Sequence, residues 1–287
     1  MGAVYRKELK IYMSGMFGYF IIALLLLFMG LFVTLFNLVS GYSDIVYALA
    51  GMQWVLIVLI PFLAMRSIAE ERHSKTDQLL YSLPLPMRDI VFGKFFAMLT
   101  VFAIPTAMSA LYPVILTSFG AFSLATAYVS LLGYFLLGIS MIALCTFLSS
   151  LVESQILAAV ISIAALLLIY FMDMITMLIP ASALVSFVIL AVLELGLALL
   201  LWAGTKNANL GFAAALVLIL PTAILYILKA DLFVSLIPNF LHAVDLFARF
   251  GGFTYGHIDL PGALFYLSFT AFFLFVTVRV MEKRRLA

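Results

Sequence analysis

The chain has 287 residues, of which 67% are hydrophobic and only 10% charged. A soluble domain carries roughly 45–50% apolar and about 25% charged residues, so the composition excludes an ordinary water-soluble fold and points to an all-α polytopic membrane protein. A net charge of +2 offers no field for nucleic acid, and the one cysteine, Cys145 in an apolar run, excludes an intramolecular disulfide and a cysteine-built metal site.

Residues 1–16 predict a short interfacial amphipathic helix. Tyr5, Leu9, Tyr12, Met13 and Met16 share one face by the i, i+3, i+4 rule, with Arg6, Lys7, Lys10 and Ser14 opposite. The apolar run that follows, 17–39, is too long for the roughly 7–15 residues of a signal-peptide core and reads as a retained span. Seven more runs follow, near 48–65, 92–117, 126–149, 155–178, 182–203, 209–229 and 262–281. At about 1.5 Å per residue each covers roughly 27–39 Å, enough for about 30 Å of hydrocarbon. Eight spans place both termini on one side. Of the 15 basic residues only Lys229 and Arg249 then fall on the other side, so the termini are expected in the cytoplasm. Treating 182–229 as a re-entrant pair would leave the same sides. Pro180 permits a tight turn before residue 182, and Pro105, Pro113 and Pro221 predict kinks. Segment 230–260 is the one long external connection. It is aromatic and broken by Pro238 and Gly251-Gly252, which predicts short helices at the extracytoplasmic membrane surface.

Segment 66–94 is the long cytoplasmic loop, and its polar heart is "AEERHSKTDQLL" at 69–80, with Glu70, Glu71, Arg72, Lys75 and Asp77. Ser74 and Asp77 have capping-box spacing, with Lys75 and Thr76 between them. They predict a short helix over 75–83 with Leu79, Leu80 and Leu83 on one stripe, ended by Pro84 and Pro86. Asp89 then suits the positive end of the next helix. The leucine stripe needs a cover, either a soluble partner or the protein's own membrane face.

The stretch "PFLAMRSIAEERHSKTDQLLYSLPLPMRDIVFGKFFA", 61–97, resembles the signature of ABC-2 type exporter permeases, in particular the gliding-motility-type branch. The residues that match are Met65, Arg66, Ala69, Glu70, Glu71, Arg72, Thr76, Leu79, Leu80, Pro84, Asp89, Ile90, Val91, Gly93 and Lys94. The last span, "FYLSFTAFFLFVTVRVMEKRR" at 265–285, and the first, "RKELKIYMSGMFGYFIIALLLLFMGLF" from residue 6, are also similar to that branch. Lys75 stands where the family usually has Gly, and Gln78 where it usually has Glu. The resemblance implies a permease of six core spans (type V exporter-like), with 182–229 as an extra pair, in a bacterial or archaeal plasma membrane. It implies that the loop residues Glu70, Glu71, Arg72, Lys75, Thr76, Asp77, Leu79, Leu80 and Leu83 couple to separate ATP-binding cassette ATPase subunits. A second copy or a homologous permease would complete the pore, and an extracytoplasmic accessory protein is a further expected partner. ATP and Mg belong to the partner, so this chain is not expected to be an enzyme. It has no G-x-x-x-x-G-K-[ST]; "AGTK" at 203–206 lacks the upstream Gly and the Ser or Thr after Lys. Substrate identity does not follow, though the sparse polar groups favour an amphiphile.

Glu194 lies near the middle of run 182–203. A carboxylate at that depth costs several kcal/mol unless it is paired, neutral or hydrated, so it marks either a substrate path or an interhelical hydrogen bond. A secondary transporter is the alternative reading, although it has one such residue and no internal repeat to support it. An intramembrane metalloprotease would need histidines at membrane depth, whereas His73, His242 and His257 fall in predicted loops. There is no G-x-S-x-G elbow for a serine enzyme. A structural scaffold remains as a third alternative.

Overall fold

The computed structural model describes residues 1–42, 44–75, 85–119 and 123–286, and every regular element among them is helical. From the N-terminus run α1 (Gly2–Ser14), α2 (Met16–Phe32, prolonged by a π-helical stretch Val33–Val39), α3 (Val46–Met65) and the short α4 (Ala69–His73). Next come α5 (Met87–Ser109), α6 (Leu111–Leu116), α7 (Leu124–Leu151), α8 (Gln155–Tyr170), α9 (Met172–Leu178), α10 (Ala183–Thr205) and α11 (Ala208–Leu228). A 3-10 turn at Ala230–Phe233 leads to α12 (Leu236–Val244), a second 3-10 stretch at Ala248–Tyr255 and α13 (Leu260–Leu286).

Six segments among the described residues are long and apolar enough to cross a bilayer, and two bent pairs raise the number to at most eight. The chain is therefore a multi-pass membrane protein. A helix satisfies its own backbone hydrogen bonds, which lipid cannot do, so runs this apolar and this long suit a bilayer as helices. The expected run 155–178 is divided between α8 and α9, with a bend of 50° at Phe171, and the chain turns by 115° after α11. Prolines are absorbed inside helices: α3 continues through Pro61, α5 through Pro105 and α11 through Pro221.

The chain divides into two compact units, residues 1–168 with 249–287, and residues 169–248. The first is built on α7, with α13 and α3 packed along it. Small residues on α7 allow close approach. Gly138 accepts the ring of Phe102, which is buried, and a Cβ there would overlap that ring. Ser140 Oγ lies 3.1 Å from the Tyr266 carbonyl of α13, an interhelical polar contact of the kind that holds apolar helices together in lipid. The stretch Ala248–Tyr255 folds onto the start of α7, where the buried Phe253 rests against Gly133 and its carbonyl accepts from Ser130 Oγ at 3.1 Å. At the opposite end, Arg284 donates to the Leu151 carbonyl (2.8 Å) and Arg285 to the Leu85 carbonyl (3.1 Å). Both chain termini therefore gather at one end of this unit, beside α4 and the start of α5.

In the second unit α10 and α11 pack along each other as a helical hairpin. Ser182 caps α10 by accepting from Val185 N (3.3 Å). Lys206, at φ 52°, ends it, and Asn207 starts α11 by accepting from Asn209 N (3.1 Å). Phe187, Tyr226 and Phe233 form an aromatic cluster, with the first two rings stacked at 4.6 Å. His242 Nδ1 on α12 lies 3.6 Å from Asp173 on α9.

Candidate functional site

Three glycines seat the N-terminal helix. Gly15 is extended (φ −87°, ψ 153°) and separates α1 from α2. Gly18 on α2 lies against the Tyr12 carbonyl, where no Cβ would fit, and a Cβ on Gly93 of α5 would come within 2.9 Å of Val4 Cβ. So α1 lies along α5 with Val4, Glu8 and Tyr12 buried. Tyr12 donates its phenol to the Leu63 carbonyl of α3 at 3.1 Å. Burial and then the neighbouring Glu8 push that phenol well above its ordinary value, so it stays a donor. The amino group of Met1 donates to Asp89 in the first turn of α5 at 2.8 Å.

Between these helices sits a buried ionic cluster. Lys94 of α5, whose side chain is 2% exposed, lies 3.1 Å from Glu8 Oε1 and 2.9 Å from Glu71 Oε1. It also donates to the Ser67 carbonyl at 2.7 Å. Lys7 closes the group at 3.2 Å from Glu71 and 3.3 Å from Glu8. Two ammonium groups, Lys94 buried and Lys7 half exposed, face the two carboxylates. A charge buried this deeply is tolerable only when paired and hydrogen-bonded. Burial lowers the Lys7 pKa, but Glu71 and Glu8 together outweigh it and hold the ammonium above its ordinary 10.5. Its share of the pairing is thus full below that value and is lost as pH rises through the raised one. Beside the cluster opens a cavity of about 410 Å³ lined by Lys7, Tyr12, Arg66, Glu70, Glu71 and Lys94, among others.

The loop residues singled out in the sequence divide by direction. Glu71 points into the cluster. Arg72 is 8% exposed, with Nη1 donating to the Val152 carbonyl at 3.4 Å, and Ala69 N donates to Ser149 Oγ at 3.2 Å. These contacts dock α4 on the end of α7. Glu70 faces outward, paired with Arg66 at 3.4 Å. Ser74 is the C-cap of α4, with its hydroxyl turned back to the Glu70 carbonyl at 2.8 Å. Thr76, Asp77, Leu79, Leu80 and Leu83 lie outside the described residues, and with them positions 76–83 of the predicted helix and the Asp77 half of its capping box, while Ser74, expected as the N-cap of that helix, closes α4 instead and Lys75 is not helical. Glu194 belongs to the second unit, 8% exposed, where it accepts from Thr222 Oγ1 of α11 at 3.0 Å.

Lys75 follows the C-cap of α4 at φ 56°, in the left-handed region, with its N–H bonded to the Arg72 carbonyl at 3.0 Å. That geometry favours Gly, because a Cβ crowds the neighbouring carbonyl. Lys75→Gly is expected to raise stability by up to about 1 kcal/mol, the steric relief being partly offset by the freer unfolded chain. The thermal midpoint of the detergent-purified protein measures it, and a clear fall would show that the Lys75 side chain makes a contact worth more than the strain.

Sequence reasoning missed Glu8 and undervalued Lys94. The signals were there: Glu8 is the one acidic residue in 1–16, four residues from both Val4 and Tyr12, and Lys94 falls inside the apolar run 92–117. Each asks for a partner of opposite charge. Among the described residues no group of His, Cys, Asp and Glu could hold a metal ion. Compared with known proteins, the chain matches no family model and no curated protein.

Proposed function

We propose that this chain is the membrane-spanning subunit of an ATP-driven exporter, a permease of the ABC-2 type, moved by an ATPase carried on a separate chain. The observation that supports this reading most is the Lys94 cluster, which ties α1, the connector at Ser67, α4 and α5 together at the end where both termini meet. A force applied at residues 69–75 would pass to α5 through Glu71 and Lys94, and to α7 through Arg72 and Ala69. This is the mechanical property that a coupling loop needs. The resemblance of 61–97 to the permease signature falls on the same residues.

In this mechanism Glu70 and the Leu79, Leu80 and Leu83 stripe meet the ATPase, while Glu71 and Arg72 hold the loop to the spans. ATP binding would pull the loop, and α5 and α7 would follow as levers. The competing reading, a secondary transporter, rests on Glu194 and its Thr222 partner beside Pro221. Affinity purification of the tagged chain from its own host decides between them. The exporter reading expects an ATPase subunit to copurify, and Leu79→Asp with Leu80→Asp to lower its recovery at least about ten-fold, as loss of an apolar helix-in-groove anchor does. Recovery of a chain that moves substrate on an ion gradient with no ATPase present would overturn it.

A further inference from the structure

A second cavity, of about 660 Å³, lies in the first unit on a face formed by α5, α7 and α13. Its volume is that of a ligand pocket rather than a packing defect. Its walls are almost wholly apolar, with Phe92, Phe96 and Leu99 on α5 and Leu274 and Phe275 on α13. Its one charged end carries Arg88, Arg279 and Glu282. Arg279 lies 3.2 Å from Glu282 and over the ring of Phe275 at 5.0 Å. Arg88 is exposed in the first turn of α5, so the positive end of a helix of 23 residues adds to its charge. The mouth is thus net positive.

The length of the groove identifies its occupant. From Arg88 to Leu99 it follows α5 for about 16 Å, and from Leu267 to Glu282 it follows α13 for about 22 Å. One leaflet measures about 15 Å of hydrocarbon, or about 20–22 Å with its headgroups. A helix of a second copy would find a seam along the whole span, whereas this groove follows about 22 Å of the roughly 40 Å of α13, with cationic groups only at one end. We infer that the groove holds one anionic phospholipid of the leaflet on the side of the chain termini. Its phosphate sits between Arg88 and Arg279, and an acyl chain lies along Phe92, Phe96 and Leu99. The inference does not rest on the transport reading.

Native mass spectrometry of the full chain, exchanged from mild detergent with phosphatidylglycerol or phosphatidylcholine, tests it. Wild type is expected to retain phosphatidylglycerol preferentially, and Arg88→Gln to reduce that preference about five-fold, the effect of one basic group near an anionic surface. Arg279→Gln should act less, because Glu282 already shares its charge. Leu99→Trp, which fills the deep end and removes no charge, should lower retention of both lipids. Glycerol phosphate, a headgroup without chains, should displace nothing. Equal retention of the two lipids by wild type, or an unchanged preference in Arg88→Gln, would overturn the inference. Displacement by glycerol phosphate would do so too, by showing a bare anion site. So would a dimer that Leu99→Trp splits, since a second copy would then be the occupant.

Discussion

Lys94→Met is expected to lower the stability of the folded chain by about 3–5 kcal/mol, the usual loss when one partner of a buried ion pair is removed. The substitution keeps the apolar stem of the side chain and deletes only the ammonium. Glu8 and Glu71 would lose that ammonium while keeping the exposed Lys7, and Glu8 is only 8% exposed on its side chain. The Ser67 carbonyl would lose its donor as well. Thermal unfolding in detergent reads the loss as a lower midpoint. Adding Glu8→Gln restores neutrality, because one carboxylate then faces one ammonium, and more than half of the lost stability should return. A Lys94→Met protein that melts with wild type would show that the cluster holds nothing together.

The second large effect is steric. Gly18→Val places a Cβ against the Tyr12 carbonyl oxygen and within 2.9 Å of its carbonyl carbon. Those are backbone atoms, so no rotamer change relieves the clash. The corner between α1 and α2 must open instead, and α1 must lift from α5. Overpacking of this kind costs about 1–3 kcal/mol, and here it also draws Glu8 away from Lys94. Limited trypsin digestion, read by intact mass, should show faster cleavage at Lys7 and Lys10 than in wild type. Gly2→Val is the control, since nothing lies within 4 Å of a Cβ there. Unchanged digestion and melting in Gly18→Val would mean that α1 is not fixed through this corner.

Much of the fold was legible because lipid simplifies the code. A run of apolar residues of bilayer length can only be a helix when every backbone polar group must be satisfied within the segment, and α2, α3, α5, α7, α10 and α13 were readable on that ground. What escaped was whatever depends on a partner distant in the chain. In α1 the expected apolar face ran through Tyr5, Leu9, Tyr12, Met13 and Met16, whereas the buried stripe is Val4, Glu8 and Tyr12. The difference is one residue of rotation. It arises because Glu8 finds Lys94 86 positions away, and periodicity scores a glutamate as solvent-facing. Arg72 was read only as one of the coupling-loop residues, and its Nη1 donates to the Val152 carbonyl, a contact that the sequence does not announce. A charge in a loop looks the same in sequence whichever way it points. The bend at Phe171 also escaped, since no Pro or Gly marks it.

The Lys94 cluster also sets an order of events during synthesis. Glu8 and Glu71 are made before Lys94, and a chain translated and inserted from its N-terminus holds both carboxylates with Lys7 in place and Lys94 still to come, although Tyr12 can already reach the Leu63 carbonyl. Only when the third span arrives does the ammonium reach Glu8, Glu71 and the Ser67 carbonyl together. The first two spans are therefore an incomplete assembly, and α5 is the part that locks them.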